Sequence, residues 1–198
     1  MRPKNPAKEE AIRQTALRII AEEGLENLTM QKLATAANIS PRTIYIKYAD
    51  KEDLLIKLFV DDVLGAYEQA TLVDFEETMS FETGIQKVWS NVFDFFKANR
   101  PAFVLAQYGK TSPLLNKAFQ ERNIGEGTFF TPLHRFLKRH AVAGTIPKLP
   151  PEAYRSLLFA PVLDLVHEYY EFVDRPKQVI TDKVLRDCCR IVVKGMLL

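Results

Sequence analysis

The chain has 198 residues, of which 47% are hydrophobic, 26% charged and 11% aromatic, and its formal net charge is +2. This composition is typical of one or two folded domains and excludes disordered and collagen-like proteins. No stretch approaches the roughly 20 apolar residues that cross a bilayer, which excludes an integral membrane protein. The N-terminal segment lacks the apolar core of a signal peptide, and the adjacent cysteines, Cys188 and Cys189, cannot cross-link the fold. We therefore expect a cytoplasmic protein.

Apolar residues recur at helical spacing along the chain and almost never alternate strictly, so the sequence predicts an all-α fold. The first helix is expected to begin at Pro6, behind an N-cap at Asn5, because proline is favoured at the first helical position. Gly24 is placed to end this helix in the left-handed conformation. A second, short helix is expected to follow the N-cap Thr29.

A tight turn at Asn38-Ile39 separates the second predicted helix from the third. The third helix is expected from Pro41 to about Tyr48, because Ser40 followed by proline is the pattern of a capped helix start. Asp50 is the expected cap of a fourth helix. Three helices in so short a stretch, with the second and third joined by a tight turn, have the helix-turn-helix layout.

Longer helices are predicted beyond residue 70, after a polar stretch from 74 to 80 that breaks the helical pattern. Residues 124–127 are expected to separate the third of these helices from the fourth, and Pro161 is expected to kink the fifth. The predicted ranges are 81–98, a shorter helix after Pro101, 113–123, 128–143, 151–173 and 181–196.

The most informative stretch is residues 29–55, which read TMQKLATAANISPRTIYIKYADKEDLL. Thr43, Tyr45 and Lys47 on its second helix carry hydroxyls and a cation of the kind that bind phosphate oxygens. Arg42 stands at the front of that helix, and an arginine there can make a bidentate contact to a guanine edge in the major groove. Lys51 adds positive charge beside the free backbone N–H groups of the next helix, which suits a phosphate.

This stretch resembles the DNA-binding segment of TetR-type (tetracycline-repressor-like) bacterial transcriptional regulators over about residues 8–60. The residues that carry the resemblance are Thr29, Leu33-Ala34, Thr43-Ile44-Tyr45, Tyr48 and Lys51-Glu52-Asp53-Leu54. Many members have glycine in place of Arg42, so the base preference is expected to differ. The resemblance implies that the DNA backbone is held by Thr29, Thr43, Tyr45, Lys47 and Lys51. It implies that base edges face Gln31, Pro41, Arg42 and Ile46.

By the same resemblance, residues 1–50 are a helix-turn-helix DNA-binding domain, and residues 51–198 are an α-helical ligand-binding and dimerisation domain. Eighteen of the 21 aromatic residues lie beyond residue 60, and they serve either a large core or a ligand pocket. The resemblance implies a small-molecule effector, and the sequence does not name it. The pocket candidates are Trp89, Phe93, Phe96, Phe103, Tyr108, Phe130, His134, Phe159 and Tyr170.

The last two predicted helices have apolar faces wider than one core contact needs. The resemblance implies that they pack against their twofold mates as a four-helix interface, so that a homodimer binds a palindromic operator. The interface candidates are Leu158, Val162, Leu165, Val166, Tyr169, Val184, Leu185, Cys188, Ile191 and Val192.

Catalysis and metal binding have little support in the sequence. The chain has no Gly-x-Ser-x-Gly elbow and no glycine-rich phosphate loop. His167 and Glu171 share a helix face, but two ligands make an incomplete metal site. We therefore expect that the protein has no cofactor and no bound metal, and that it is not an enzyme. The leading hypothesis is a homodimeric repressor that a small, mostly apolar effector releases from a palindromic operator. The alternative is an all-α ligand-binding protein or enzyme whose N-terminal helices are only scaffold.

Overall fold

The structure is a computed structural model of the chain, and it describes residues 6–124, 128–172 and 176–198. Within these ranges the regular structure is entirely helical, so the predicted all-α fold is confirmed. A π-helical turn at Phe59–Val63 joins α4 to α5, and another at Arg155–Phe159 joins α10 to α11. The helices are α1 Pro6–Glu23, α2 Met30–Ala36, α3 Pro41–Lys47, α4 Lys51–Leu58, α5 Leu64–Thr71, α6 Phe81–Ala98, α7 Arg100–Thr111, α8 Leu114–Glu121, α9 Thr131–Val142, α10 Pro151–Tyr154, α11 Ala160–Glu171 and α12 Asp182–Met196.

Side-chain caps fix the starts of the short N-terminal helices. Thr29, Ser40 and Asp50 each accept a hydrogen bond from the backbone N–H three residues on, at 3.1, 3.3 and 2.8 Å. Helix α1 ends before Gly24, whose φ of 89° is left-handed. These predicted caps are confirmed, and they satisfy backbone groups that a helix end leaves without an intrahelical partner. The predicted cap Asn5 lies outside the described residues.

The chain packs as two compact units, and unit 1 comprises Met1–Gly65 and Asn99–Gly125. In this unit α1 packs against α2 and α7, and α4 packs against α7 and α8. The functional boundary expected at residue 50 stays a prediction, because packing alone does not divide DNA binding from ligand binding. The core of the unit is apolar and includes Ile12, Ala16, Ile19, Leu33, Ile44, Leu54, Leu55 and Phe103.

Unit 2 comprises Ala66–Ala98 and Glu126–Leu198, and α6 is its central helix because both α11 and α12 pack against it. Trp89 of α6 is 1% exposed, and its indole N–H donates to the carbonyl of Leu158 at 2.7 Å. At Gly84 an added Cβ would lie 2.5 Å from the Phe136 ring. The close approach of this ring therefore requires glycine in α6.

Two predicted helices differ in detail from the structure. The helix predicted over 151–173 contains the π-turn just before Pro161, where the N–H of Ala160 bonds to the carbonyl of Arg155. Proline has no N–H to continue the α-helical ladder, so the disturbance expected at Pro161 takes the form of this wider turn. The helix predicted from 128 begins only at Thr131, because Phe130 has a left-handed φ of 57°.

Candidate nucleic-acid interface

Helices α2 and α3 are joined by the tight turn that the sequence predicts. Asn38 has a left-handed φ of 53°, a conformation that asparagine tolerates better than most residues. The N–H of Ile39 then bonds to the carbonyl of Ala34 at 3.0 Å, which closes the end of α2. Ser40 caps the next helix and Pro41 occupies its first turn. This local geometry produces the helix-turn-helix.

Helix α3 buries one side and leaves the other open. Ile44 is its buried residue, and Tyr48, directly after it, is 2% exposed. On the outer side Arg42 is exposed, Tyr45 is 53% exposed and Ile46 is 80% exposed. The aromatic Tyr45 and the apolar Ile46 project from the same short helix as Arg42. This combination suits contact with base edges and with thymine methyl groups.

The predicted hydroxyl contacts also hold the helix starts. Thr29 is exposed, and its hydroxyl oxygen caps α2. Thr43 is half-buried, and its hydroxyl is hydrogen-bonded to that of Ser40 at 2.8 Å. Gln31 and Pro41 are exposed. A serine or threonine hydroxyl both donates and accepts, so these caps leave capacity for a phosphate oxygen.

Both predicted phosphate-binding lysines have partners within unit 1. Lys47 forms an ion pair with Glu9 of α1, and its ammonium lies 5.7 Å from the centre of the Tyr48 ring. Lys51 donates to the carbonyl of Leu25 at 2.7 Å, which ties the start of α4 to the loop after α1. An ammonium has three N–H donors, so Lys51 retains donors for another acceptor.

Lys57 and Asp53 position α3, and the sequence analysis missed this role. Lys57 donates to the carbonyl of Lys47 at 3.1 Å, at the C-terminal end of α3, where a cation is favourable. It also donates to the Asp53 carboxylate at 2.7 Å, and that carboxylate accepts from the N–H of Ala49 at 2.9 Å. The four-residue spacing of Asp53 and Lys57 was the available signal. These bonds fix α3 against α4.

A partly buried charge pair connects α1 to the π-turn after α4. The Arg13 guanidinium lies 3.3 Å from the Asp62 carboxylate, whose pKa is raised by burial against the opposing effect of Arg13. Burial also raises the pKa of the nearby Tyr48 to about 12, so its phenol stays protonated at neutral pH. With only 2% of its surface exposed, Tyr48 is a core residue whose ring packs at the end of α3.

The nine predicted pocket residues are divided between the two units, and their role as a pocket stays a prediction. Phe103 and Tyr108 belong to unit 1, and the other seven belong to unit 2. The Tyr170 hydroxyl donates to the carbonyl of Phe96 at 2.6 Å, and His134 is exposed on α9. The fully buried members are Trp89, Phe93 and Phe96, and the half-buried ones include Phe130 and Phe159.

Two cavities each include one of these predicted residues. A cavity of about 300 Å³ in unit 1 includes Tyr108, and one of about 460 Å³ between α6 and α12 in unit 2 includes Trp89. In unit 1 the other lining residues are Leu25, Glu26, Lys51, Glu52 and Leu55.

Among the described residues, no three His, Cys, Asp or Glu side chains are grouped so that they could hold a metal ion. None of the described helices combines the length and the apolar character that a membrane-spanning segment needs.

The predicted dimer face divides into a buried and an open side. Helices α11 and α12 both pack against α6, so their inner sides belong to the core of unit 2. Ile191, in contrast, is 69% exposed. The buried members are Leu158, Val162, Val166 and Leu185. The members at least partly exposed are Leu165, Tyr169, Val184, Cys188, Ile191 and Val192.

Comparisons with known proteins agree with this geometry. Residues 12–58 match the family model described as bacterial regulatory proteins, tetR family. An uncharacterized HTH-type transcriptional regulator of Haemophilus influenzae is 35% identical over 82 residues, which are 41% of this chain and 43% of that protein. The match thus spans less than half the length of this curated relative.

Solved structures match over nearly the full length. A TetR family transcription regulator from Marinobacter aquaeolei has a TM-score of 0.75 at 23% identity and covers 100% of this chain and 99% of its own. The transcriptional regulator FadR from Bacillus subtilis, in complex with stearoyl-CoA, has a TM-score of 0.69 at 21% identity and covers 95% and 99%. Residues 12–58 therefore match the tetR family of bacterial regulatory proteins, and the chain has the fold of solved TetR family transcription regulators.

Proposed function

We propose that the chain binds double-stranded operator DNA and regulates transcription, with α3 lying in the major groove. The exposed outer side of α3 carries this proposal: a core helix would not leave Tyr45 and Ile46 open beside Arg42. Arg42 and Ile46 are the side chains for base edges, with Gln31 and Pro41 beside them. Thr29, Thr43, Tyr45, Lys47 and Lys51 are the backbone contacts.

The DNA-bound form is a homodimer. On the open sides of α11 and α12 Leu165 and Tyr169 are partly exposed and Ile191 is exposed, and an isologous interface would cover them. Two copies of α3 then read a palindromic operator at a spacing of about 34–36 Å, one helical turn of DNA. Cytoplasmic location follows from this activity and is part of the proposal.

A small, mostly apolar effector acts on this dimer as an inducer. The aromatic content of unit 2 supports an apolar ligand, as does the stearoyl-CoA complex of the Bacillus subtilis neighbour. The effector releases the operator by favouring a dimer state that fits the groove less well. A preference of roughly 1–3 kcal/mol for that state is enough to change the affinity substantially.

A gel-shift titration at several salt concentrations tests the proposal. Genomic fragments serve as DNA, and one fragment class is expected to bind more tightly than the rest. Its affinity is expected to fall by roughly 10³- to 10⁵-fold between 50 and 200 mM salt if about six to ten phosphates are contacted. Uniformly weak binding to every fragment would favour the alternative in which the N-terminal helices are scaffold.

A further inference from the structure

Helix α1 supplies carboxylates to both helices of the helix-turn-helix. Glu9 forms an ion pair with Lys47 of α3, and Glu23 forms one with Lys32 of α2. The basic residues of α2 and α3 are these two lysines and Arg42. Within the described ranges Arg42 has no ion pair and is exposed. In the free protein both lysines are therefore paired with carboxylates of α1, whereas Arg42, the proposed base contact, is exposed.

The Glu9–Lys47 pair is accessible enough to exchange partners. Each of the two side chains keeps 35% of its surface exposed. Lys47 also acts electrostatically on Asp62 of the π-turn, while Glu10, the next carboxylate on α1, is paired with Arg13. Exposed pairs of this kind are weak, and duplex DNA presents one negative charge per about 1.7 Å of its length. A phosphate close to Lys47 therefore competes effectively with Glu9.

We propose that Glu9 is an intramolecular competitor of the DNA phosphate for Lys47, so that this contact forms only when α3 is seated in the groove. The inference rests on the proposed DNA-binding function. Its consequence is a lower affinity for DNA of arbitrary sequence, where α3 does not seat and the lysine stays with its own carboxylate. Glu9 is thereby a specificity-determining residue that touches no base.

The test compares Glu9→Gln with Glu22→Gln on a random-sequence duplex. Both variants remove one negative charge from α1, but Glu22 pairs with Arg18 of the same helix and not with α2 or α3. Glu9→Gln is expected to tighten binding about two- to five-fold at low salt, the range of an exposed pair. Glu22→Gln is expected to change it less than half as much. Thermal unfolding verifies that both variants are folded.

A double-mutant cycle identifies Lys47 as the residue released. Lys47→Gln alone is expected to change random-sequence affinity little, since the lysine is held by Glu9. In the Glu9→Gln background the same change is expected to abolish the gain. The slope of log affinity against log salt is expected to steepen by about 0.9 in Glu9→Gln, one extra phosphate contact, and to return in the double variant.

Two results would overturn the inference and leave the proposed function standing: equal effects of Glu9→Gln and Glu22→Gln, or additive effects of Glu9→Gln and Lys47→Gln. If the wild type and every variant bind no duplex in a salt-dependent manner, the proposed function itself fails and the inference with it. The wild-type titration therefore separates the two failures.

Discussion

Helices α3 and α6 use their side chains in opposite ways. The seven-residue α3 buries Ile44 and leaves Arg42, Tyr45 and Ile46 open. The 18-residue α6 buries eight of its residues, among them Trp89. A substitution on the open side of α3 therefore changes what the protein recognises, whereas a substitution on the inner side of α6 changes whether unit 2 folds. Experiments at Trp89 and Arg42 test this contrast, and experiments at Ile191 and His140 extend it to other open and buried positions.

The largest expected effect is on stability, at Trp89. Trp89→Ala removes a side chain that is 1% exposed and leaves a cavity, so unfolding is expected to become easier by about 3–5 kcal/mol. Ile46→Ala on α3 is expected to stay within about 0.5 kcal/mol of the wild type. Because Trp89 is the only tryptophan, its variant has no tryptophan fluorescence to follow. Unfolding in urea is therefore measured by circular dichroism. Similar losses in the two variants would remove the contrast.

The next effect is on assembly, at the open side of α12. Ile191→Asp places a charge where we propose a twofold interface, and association is expected to weaken by about 2–4 kcal/mol, the range of an interface hot spot. Val142→Asp is the matched control, because Val142 is 79% exposed and belongs to α9, a helix that contributes no residue to the proposed interface. Sedimentation velocity measures the dissociation constant. Equal behaviour of the two variants, or a monomeric wild type, would contradict the proposed dimer.

A smaller effect is expected on base preference. Arg42→Ala removes the proposed guanine contact and is expected to relax discrimination at one operator position by about 1–3 kcal/mol. Tyr45→Phe removes a hydroxyl assigned to phosphate, so all sequences are expected to lose affinity similarly. An operator library measures both. If both variants lose affinity equally at every position, the two roles are wrongly assigned.

The smallest effect is a pH dependence at His140. Burial and the neighbouring Arg139 lower the pKa of this histidine in the folded state. Below its ordinary pKa of about 6.5 the unfolded chain then binds more protons than the folded one, so stability falls as the pH decreases. Thermal unfolding at pH 7 and pH 5 should show less acid destabilisation in His140→Gln. His134→Gln, at an exposed position of the same helix, should match the wild type.

Local signals explain what the sequence predicted well. The caps at Thr29, Ser40 and Asp50 and the turn at Asn38 depend on a few adjacent residues, so they can be recognised without knowledge of the fold. The outer side of α3 follows from the same local spacing. No local sequence pattern predicts the left-handed backbone conformation of Phe130, because of which α9 begins later than expected.

Long-range contacts explain what the sequence could not predict. The pairing of Glu9 with Lys47 joins helices that are far apart in the chain. Trp89 and Phe93 lie on an amphipathic helix, and their spacing is the same whether they pack against protein or against a ligand. Aromatic content therefore predicts either a large core or a pocket in unit 2, and the packing adds that both residues are buried there.

The brevity of α3 has a practical consequence. Two turns of helix are far below the roughly 12–15 residues at which an isolated peptide becomes helical, so a peptide of residues 40–48 would be a poor mimic of the intact surface. In the intact chain three contacts hold α3 in its helical form. They are the serine cap at its start, the buried side chains of Ile44 and Tyr48, and the hydrogen bond from Lys57 of α4 to its C-terminal end. Retargeting the protein to a new DNA sequence should thus be attempted by varying positions 42, 45 and 46 in the whole chain, with those contacts left intact.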